Sequence, residues 1–167
     1  MRRGWLAGLV LFAVPAAGCG PVQKTEPKPK FALEGSLSVV MGLGYDQAHL
    51  DLTADALALR FGRTKGEGED TVFKATANIA DLETLPVRAP LDLAELMPTN
   101  VQRGVISRDV LDDPRRVFPK LARGRIIFDK LPNPGEDVTG DLAVTFENGT
   151  EFASGRTVFG KFEANVQ

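Results

Sequence analysis

The stretch Val138-Thr139-Gly140-Asp141-Leu142-Ala143-Val144-Thr145-Phe146-Glu147 alternates with a period of two. Val138, Gly140, Leu142, Val144 and Phe146 fall on one side, with Thr139, Asp141, Ala143, Thr145 and Glu147 on the other. Successive side chains of a β-strand point to opposite faces, so this phase sets an apolar face against a core and a polar face toward water. An amphipathic helix repeats its apolar residues every three or four positions and would scatter this set around its circumference.

The same period recurs on both sides. Downstream, Val158, Gly160, Phe162, Ala164 and Val166 alternate with Lys161, Glu163 and Asn165. Upstream, Phe73, Ala75, Ala77 and Ile79 lie opposite Lys74, Thr76 and Asn78, and shorter runs appear at Ala48-Leu50-Leu52 and Leu57-Leu59-Phe61. Phe31, Leu33, Gly35, Leu37, Val39 and Met41 extend the pattern to the start of the domain. Turn chemistry separates the runs. Lys65–Asp70 is polar and glycine-bearing, Pro132-Asn133-Pro134-Gly135 is a turn, and Asn148-Gly149 predicts a tight hairpin because both residues tolerate positive φ. Short strands with one polar face predict an all-β domain (or a β-rich α+β one), built as an antiparallel β-sandwich or a small β-barrel.

Residues 82–123 break the pattern with five prolines and little alternation. They read as a long proline-rich insertion carrying short helical turns, one over Pro90–Met97 and another starting at Asp113-Pro114, where Asp caps and Pro opens a first turn. A connection of this length inside a compact domain is either functional or conceals a strand.

The chain has 167 residues, 43% hydrophobic and 25% charged, which fits one soluble domain plus a leader and a tether. Its formal net charge of −2 argues against a nucleic-acid partner, which would select a basic face. Cys19 is the single cysteine, so no internal disulfide forms, and His49 is the single histidine. Together they leave no ordinary zinc or copper site, and no metal or other cofactor is expected.

Residues 1–18 have the plan of a cleavable signal: Arg2 and Arg3, an apolar run from Trp5 to Val14, then small residues. That run is short of the ~20 residues a bilayer-spanning helix requires. Ala16-Ala17-Gly18-Cys19 resembles the lipobox of bacterial lipoproteins, with Ala16 where Leu is commoner. The resemblance covers the first 19 residues. It implies diacylglycerol on the Cys19 thiol, cleavage before that residue, and acylation of the new amine. Two or three long chains, at ~0.8 kcal/mol per buried methylene, give lasting attachment where one is marginal. Gly20 follows the cysteine instead of the Asp that resembles an inner-membrane retention signal, which favours the outer membrane. Residues 20–30 (GPVQKTEPKPK), rich in Pro and Lys, read as a tether, so residues 19–30 form lipidated cysteine and tether, and 31–167 a single domain.

One charge feature stands out in the domain. Between Arg103 and Lys130 lie eight basic residues against four acidic ones, flanked by acidic regions. Arg103, Arg108, Arg115, Arg116, Lys120, Arg123 and Arg125 are the candidate interaction residues, suited by field effects to an envelope protein or an anionic glycan or lipid. The competing reading is a solvated connection whose charges pair with Asp109, Asp112, Asp113 and Asp129. Those aspartates lack the spacing of a calcium loop. His49 shares a strand face with Asp51, yet no nucleophile is arranged beside them, and no G-x-S-x-G elbow exists. Gly42-Leu43-Gly44 is a turn, not a phosphate cradle. Phe159 sits out of phase with its strand's apolar face and marks either an interface or a contact with a second sheet, of which the second is expected.

No catalytic constellation emerges, so a non-enzymatic binding or assembly module of the cell envelope is expected, held to a membrane through acyl chains on Cys19. The alternative is a carrier with a hydrophobic ligand inside a β-barrel. Arg108-Asp109, Phe118-Pro119 and Thr139-Gly140-Asp141-Leu142 resemble segments of the bacterial polyisoprenoid-binding barrel family. That likeness spans well under half the chain and departs from the family's spacing, so its ligand is not carried over. A phenylalanine-packed interior would mean an assembly module, whereas an apolar cavity of several hundred Å3 (roughly the scale of ligand pockets) would mean a carrier.

Overall fold

The computed structural model describes residues 28–167, so Cys19 and the signal lie outside the described residues. Eleven strands carry the chain: β1 (Phe31–Ala32), β2 (Gly44–Tyr45), β3 (Gln47–Leu52), β4 (Ala56–Lys65), β5 (Gly68–Asn78), β6 (Pro90–Asp92), β7 (Gly104–Val110), β8 (Asp113–Val117), β9 (Leu121–Phe128), β10 (Asp137–Phe146) and β11 (Thr157–Val166). A 3-10 turn at Leu82–Thr84 interrupts the connection before β6. The domain is all-β. Nine strands form one sheet in the order β6-β9-β10-β11-β3-β4-β5-β7-β8, and β1 and β2 pair separately. Every pairing in the large sheet is antiparallel except β11 with β3.

The sheet order ends at β6 and β8, so it is not a closed barrel. It curls instead until its ends approach. Leu93, just past β6, donates its N–H to Gly124 of β9 and accepts from Gly104 of β7, both at 2.8 Å. Rings cross the resulting sandwich-like interior. Phe118 stacks on Phe146 of β10 with centroids 5.3 Å apart and touches Phe73 of β5 at 6.2 Å, although β10 and β5 are far apart in the sheet. Phe61 joins Tyr45, Phe73 and Phe162, and Phe162 reaches Phe128. Phe61, Phe73, Phe128 and Phe146 are all fully buried. Each buried side chain of this size contributes ~1.5–3 kcal/mol through lost water contact, and each well-placed ring pair ~0.5–1.5 kcal/mol more.

The alternation in β10 and β11 appears as expected, with Val138, Leu142, Val144 and Phe146 buried, and Val158, Phe162, Ala164 and Val166 buried beside them. Five local expectations are corrected. Pro90–Asp92 is a strand, not a helix, because it lies on the open edge of β9, where the missing proline N–H costs no ladder bond. Asp113-Pro114 opens β8, also an edge strand. The stretch 82–123 is therefore no simple insertion; it contributes β6, β7, β8 and the first residues of β9 to the sheet. At the other end of the alternation, Asn148-Gly149 lies within a longer connection that ends at Arg156, not in a two-residue hairpin. Near the start, the alternating run from Phe31 stops early. Leu33 and Leu37 are buried, but Val39 is 81% exposed on a turn.

Candidate functional site

Where the inner face is packed with rings, the grooves lie outside. The polar phase of β9, β10 and β11 builds an outer face in cross-strand rows. Arg125, Ala143 and Phe159 form one row, and Ile127, Asp141 and Lys161 the next. A cleft of about 620 Å3 runs across this face to β3, between Phe31, His49, Asp141, Lys161, Glu163 and Asn165. A second depression of about 800 Å3 shares Asp141 and Lys161 with it and extends to Glu34, Arg125 and Phe159. Together they make a continuous groove at the scale of a binding surface.

Two exposed rings border the groove. Phe31 rests on Tyr45 with centroids 5.5 Å apart, and Tyr45 in turn donates its hydroxyl hydrogen to the Lys161 carbonyl at 3.2 Å. Burial pushes the Tyr45 hydroxyl pKa up, so it remains a donor through the physiological range. Phe159 is 45% exposed, and its backbone pairs in both directions with Glu34 at 2.9 Å. Its ring stays partly open to solvent instead of being buried against a second sheet, in a depression it shares with Ala32 and Glu34. Some of the acids are already engaged. Asp129 accepts from Thr139 at 2.7 Å, and Asp137 from Asn165 at 3.1 Å. The groove thus offers aromatic surface with carboxylates and cations around it, the composition of a surface for non-covalent recognition.

The seven basic candidates do not share a patch. Arg103 pairs with Glu95 at 2.9 Å near the start of β7. Arg108 points inward and is 92% buried by its 8% exposure, donating from one nitrogen to the Val72 and Gly42 carbonyls at 3.0 and 3.1 Å. Desolvation lowers its pKa, while Asp113 and Asp70 oppose that shift. Arg116 binds Asp113 at 2.9 Å and lies 5.5 Å over the Phe152 ring, with Arg115 exposed beside it on β8. Lys120 is exposed between β8 and β9. Arg123 and Arg125 belong to the outer face of β9, so Arg125 alone of the seven lines the groove described above.

His49 and Asp51 do not pair. His49 Nδ1 lies 3.1 Å from the Gln167 amide, and its Nε2 lies 3.9 Å from Glu69. Asp51 is held instead by Arg60 through two hydrogen bonds of 2.8 and 3.2 Å. The groove residues Phe31, Lys161 and Glu163 escaped sequence reading for a simple reason. Phe31 counted toward the apolar face, and the other two looked like ordinary solvated strand residues. The out-of-phase Phe159 was the one available signal. Comparison with known proteins finds no matching family model, no matching curated protein and no matching solved structure.

Proposed function

We propose that this protein is a membrane-anchored bacterial lipoprotein, acting as a non-enzymatic binding or assembly module of the cell envelope, with the outer groove of β9, β10, β11 and β3 as its docking surface. The filled interior carries this reading. A carrier needs an apolar cavity inside the sheet, whereas the rings of Phe61, Phe73, Phe118, Phe128, Phe146 and Phe162 occupy that space in contact with one another. Recognition is left to the outside, where Phe31 and Phe159 remain exposed. The Ala16-Ala17-Gly18-Cys19 segment supports anchoring through Cys19, and Gly20 supports outer-membrane placement.

Two measurements test the two halves. Labelled palmitate should enter the wild-type chain and be lost from Cys19→Ala, and equal labelling would overturn the anchor. A photo-crosslinking residue placed at Lys161 in the full chain should trap an envelope protein, and Phe159→Asp should abolish that adduct. Extraction of a bound lipid from the folded domain, with no adduct at the groove, would reverse the choice between module and carrier.

A further inference from the structure

The strand directions bring four connections to one end of the molecule. β3, β5 and β11 begin there, and β4, β7 and β10 end there, as their pairings require. The connections at that end are residues 33–43, the β4–β5 turn, the β7–β8 turn and residues 147–156. Side chains tie them together. Arg156 donates to the Ser36 carbonyl at 3.2 Å, Arg116 covers Phe152, Arg108 holds the Gly42 carbonyl, and Lys65 pairs with Asp112.

This end presents the two most exposed large apolar side chains among the described residues, Leu111 at 82% and Val39 at 81%. Val40, in the same connection as Val39, and Phe152, in the 147–156 connection, are exposed at this end as well. The segment Gly35-Ser36-Leu37-Ser38-Val39-Val40-Met41-Gly42-Leu43 contains no charged residue. Three of its N–H groups are met within the turn: Ser38 donates to Gly35, and Val40 and Met41 both donate to Leu37. Gly35 anchors it with φ +119° against the Thr157 carbonyl, where an added Cβ would lie 2.2 Å from that oxygen. Unpartnered polar groups are the main cost of approaching a bilayer, and the bonds made inside this uncharged loop reduce it.

The position of the chain's entry names the occupant. The described chain begins at Lys28, and Lys30 donates its N–H to Asp46, immediately before β3, at this same end. The described chain therefore enters the domain beside the connections that carry Val39 and Leu111. We infer that this end is a membrane-contact surface, in which the 35–43 loop, with Leu111 and Phe152, dips into the bilayer to which the chain is anchored. This inference rests on the lipoprotein reading only for bringing the bilayer near. The contact orients the domain, turning the loops of this end toward lipid and the opposite end, with Leu96 and Val101, away from it. Asp112 pairs with Lys65 and Asp113 with Arg116, and the exposed charges that border this end (Glu67, Glu147 and Glu151) are acidic, so the contact is apolar and should survive high salt.

Tryptophan reports this directly, since Trp5 is the single tryptophan and belongs to the signal. Val39→Trp and, as a control at the other end, Leu96→Trp are placed in the processed chain. Each is bound to phosphatidylethanolamine–phosphatidylglycerol vesicles with and without brominated acyl chains, and each is checked for folding by circular dichroism. The expected result is a blue-shifted emission and loss of most fluorescence for Val39→Trp, with neither change for Leu96→Trp. Val39→Asp with Leu111→Asp should abolish binding of the unacylated domain to the same vesicles. Absent or equal quenching at the two positions overturns the contact even when palmitate labels Cys19. Selective quenching at position 39 sustains it even when palmitate does not.

Discussion

Asp70 concentrates much of what holds the loop end together. It faces Arg63 across the β4–β5 pair, accepts from that guanidinium at 3.1 Å, and accepts the Leu111 N–H at 2.8 Å. Burial alone would push its pKa up. The Leu111 and Arg63 hydrogen bonds, with the Lys65 and Arg63 charges, outweigh burial and hold it below the ordinary carboxylate range. Asp70→Ala removes two hydrogen bonds to a charged group, each ~1.5–3 kcal/mol before solvent competes. Arg63 is 28% exposed and regains water, so its share falls to ~0.5–1 kcal/mol, while the part-buried Leu111 N–H retains the larger value. The expected loss is therefore about 2–4 kcal/mol for Ala. It is about 1–2 kcal/mol for Asp70→Asn, which keeps an acceptor for Leu111. Urea unfolding through the acid range measures both. Because the folded pKa is depressed, the carboxylate's contribution is complete above the unfolded value of ~3.9 and disappears as pH falls through the folded one. The gap between wild type and Asp70→Asn should accordingly be flat near neutrality and close in acid. A loss under ~0.5 kcal/mol for Ala, within the range of ordinary surface substitutions, would refute the reasoning, as would a gap that widens as pH falls.

Phe61→Ala removes the ring that touches Tyr45, Phe73 and Phe162, and should cost ~3–5 kcal/mol by urea unfolding. Gly140→Ala would set a Cβ 2.1 Å from the Ile127 carbonyl and 2.7 Å from Phe162, so an unfolding midpoint like wild type would contradict the β9–β10 register. Arg60→Ala breaks the two-bond pair with Asp51 on a partly exposed face, and should cost only ~0.5–1 kcal/mol and less in high salt.

Strand character was legible wherever one face is buried and the other wet, because burial then writes its period into the sequence. β10 and β11 show this most plainly, lying side by side in the sheet with the core beneath both. The stretch from 82 to 123 was illegible because its strands lie at or next to the sheet's ends. β8 has four exposed residues and one half-buried, so no apolar face was available to show a period. β7 does alternate, but its inward series includes Arg108, which reads as polar in sequence. Proline in β6 and β8 pointed to helix starts by local propensity, and sheet edges satisfy the same proline preference equally well.

The basic stretch shows where charge counting in sequence loses its meaning. Local surplus predicts a field only if the charges reach the same solvent-facing surface. Here the strands that carry them reverse direction and alternate faces, which sends Arg108 into the core and Arg123 and Arg125 to the outside of β9. Partners then absorb much of the rest, with Glu95 on Arg103 and Asp113 on Arg116. The exposed apolar residues behave in the opposite way. Val39, Val40, Leu111 and Phe152 come from three connections remote in sequence, and strand direction gathers them at the end where the chain enters. Topology disperses the feature that looked concentrated and concentrates one that looked dispersed, so the loop end, rather than the basic run, is where the proposed membrane contact should be sought.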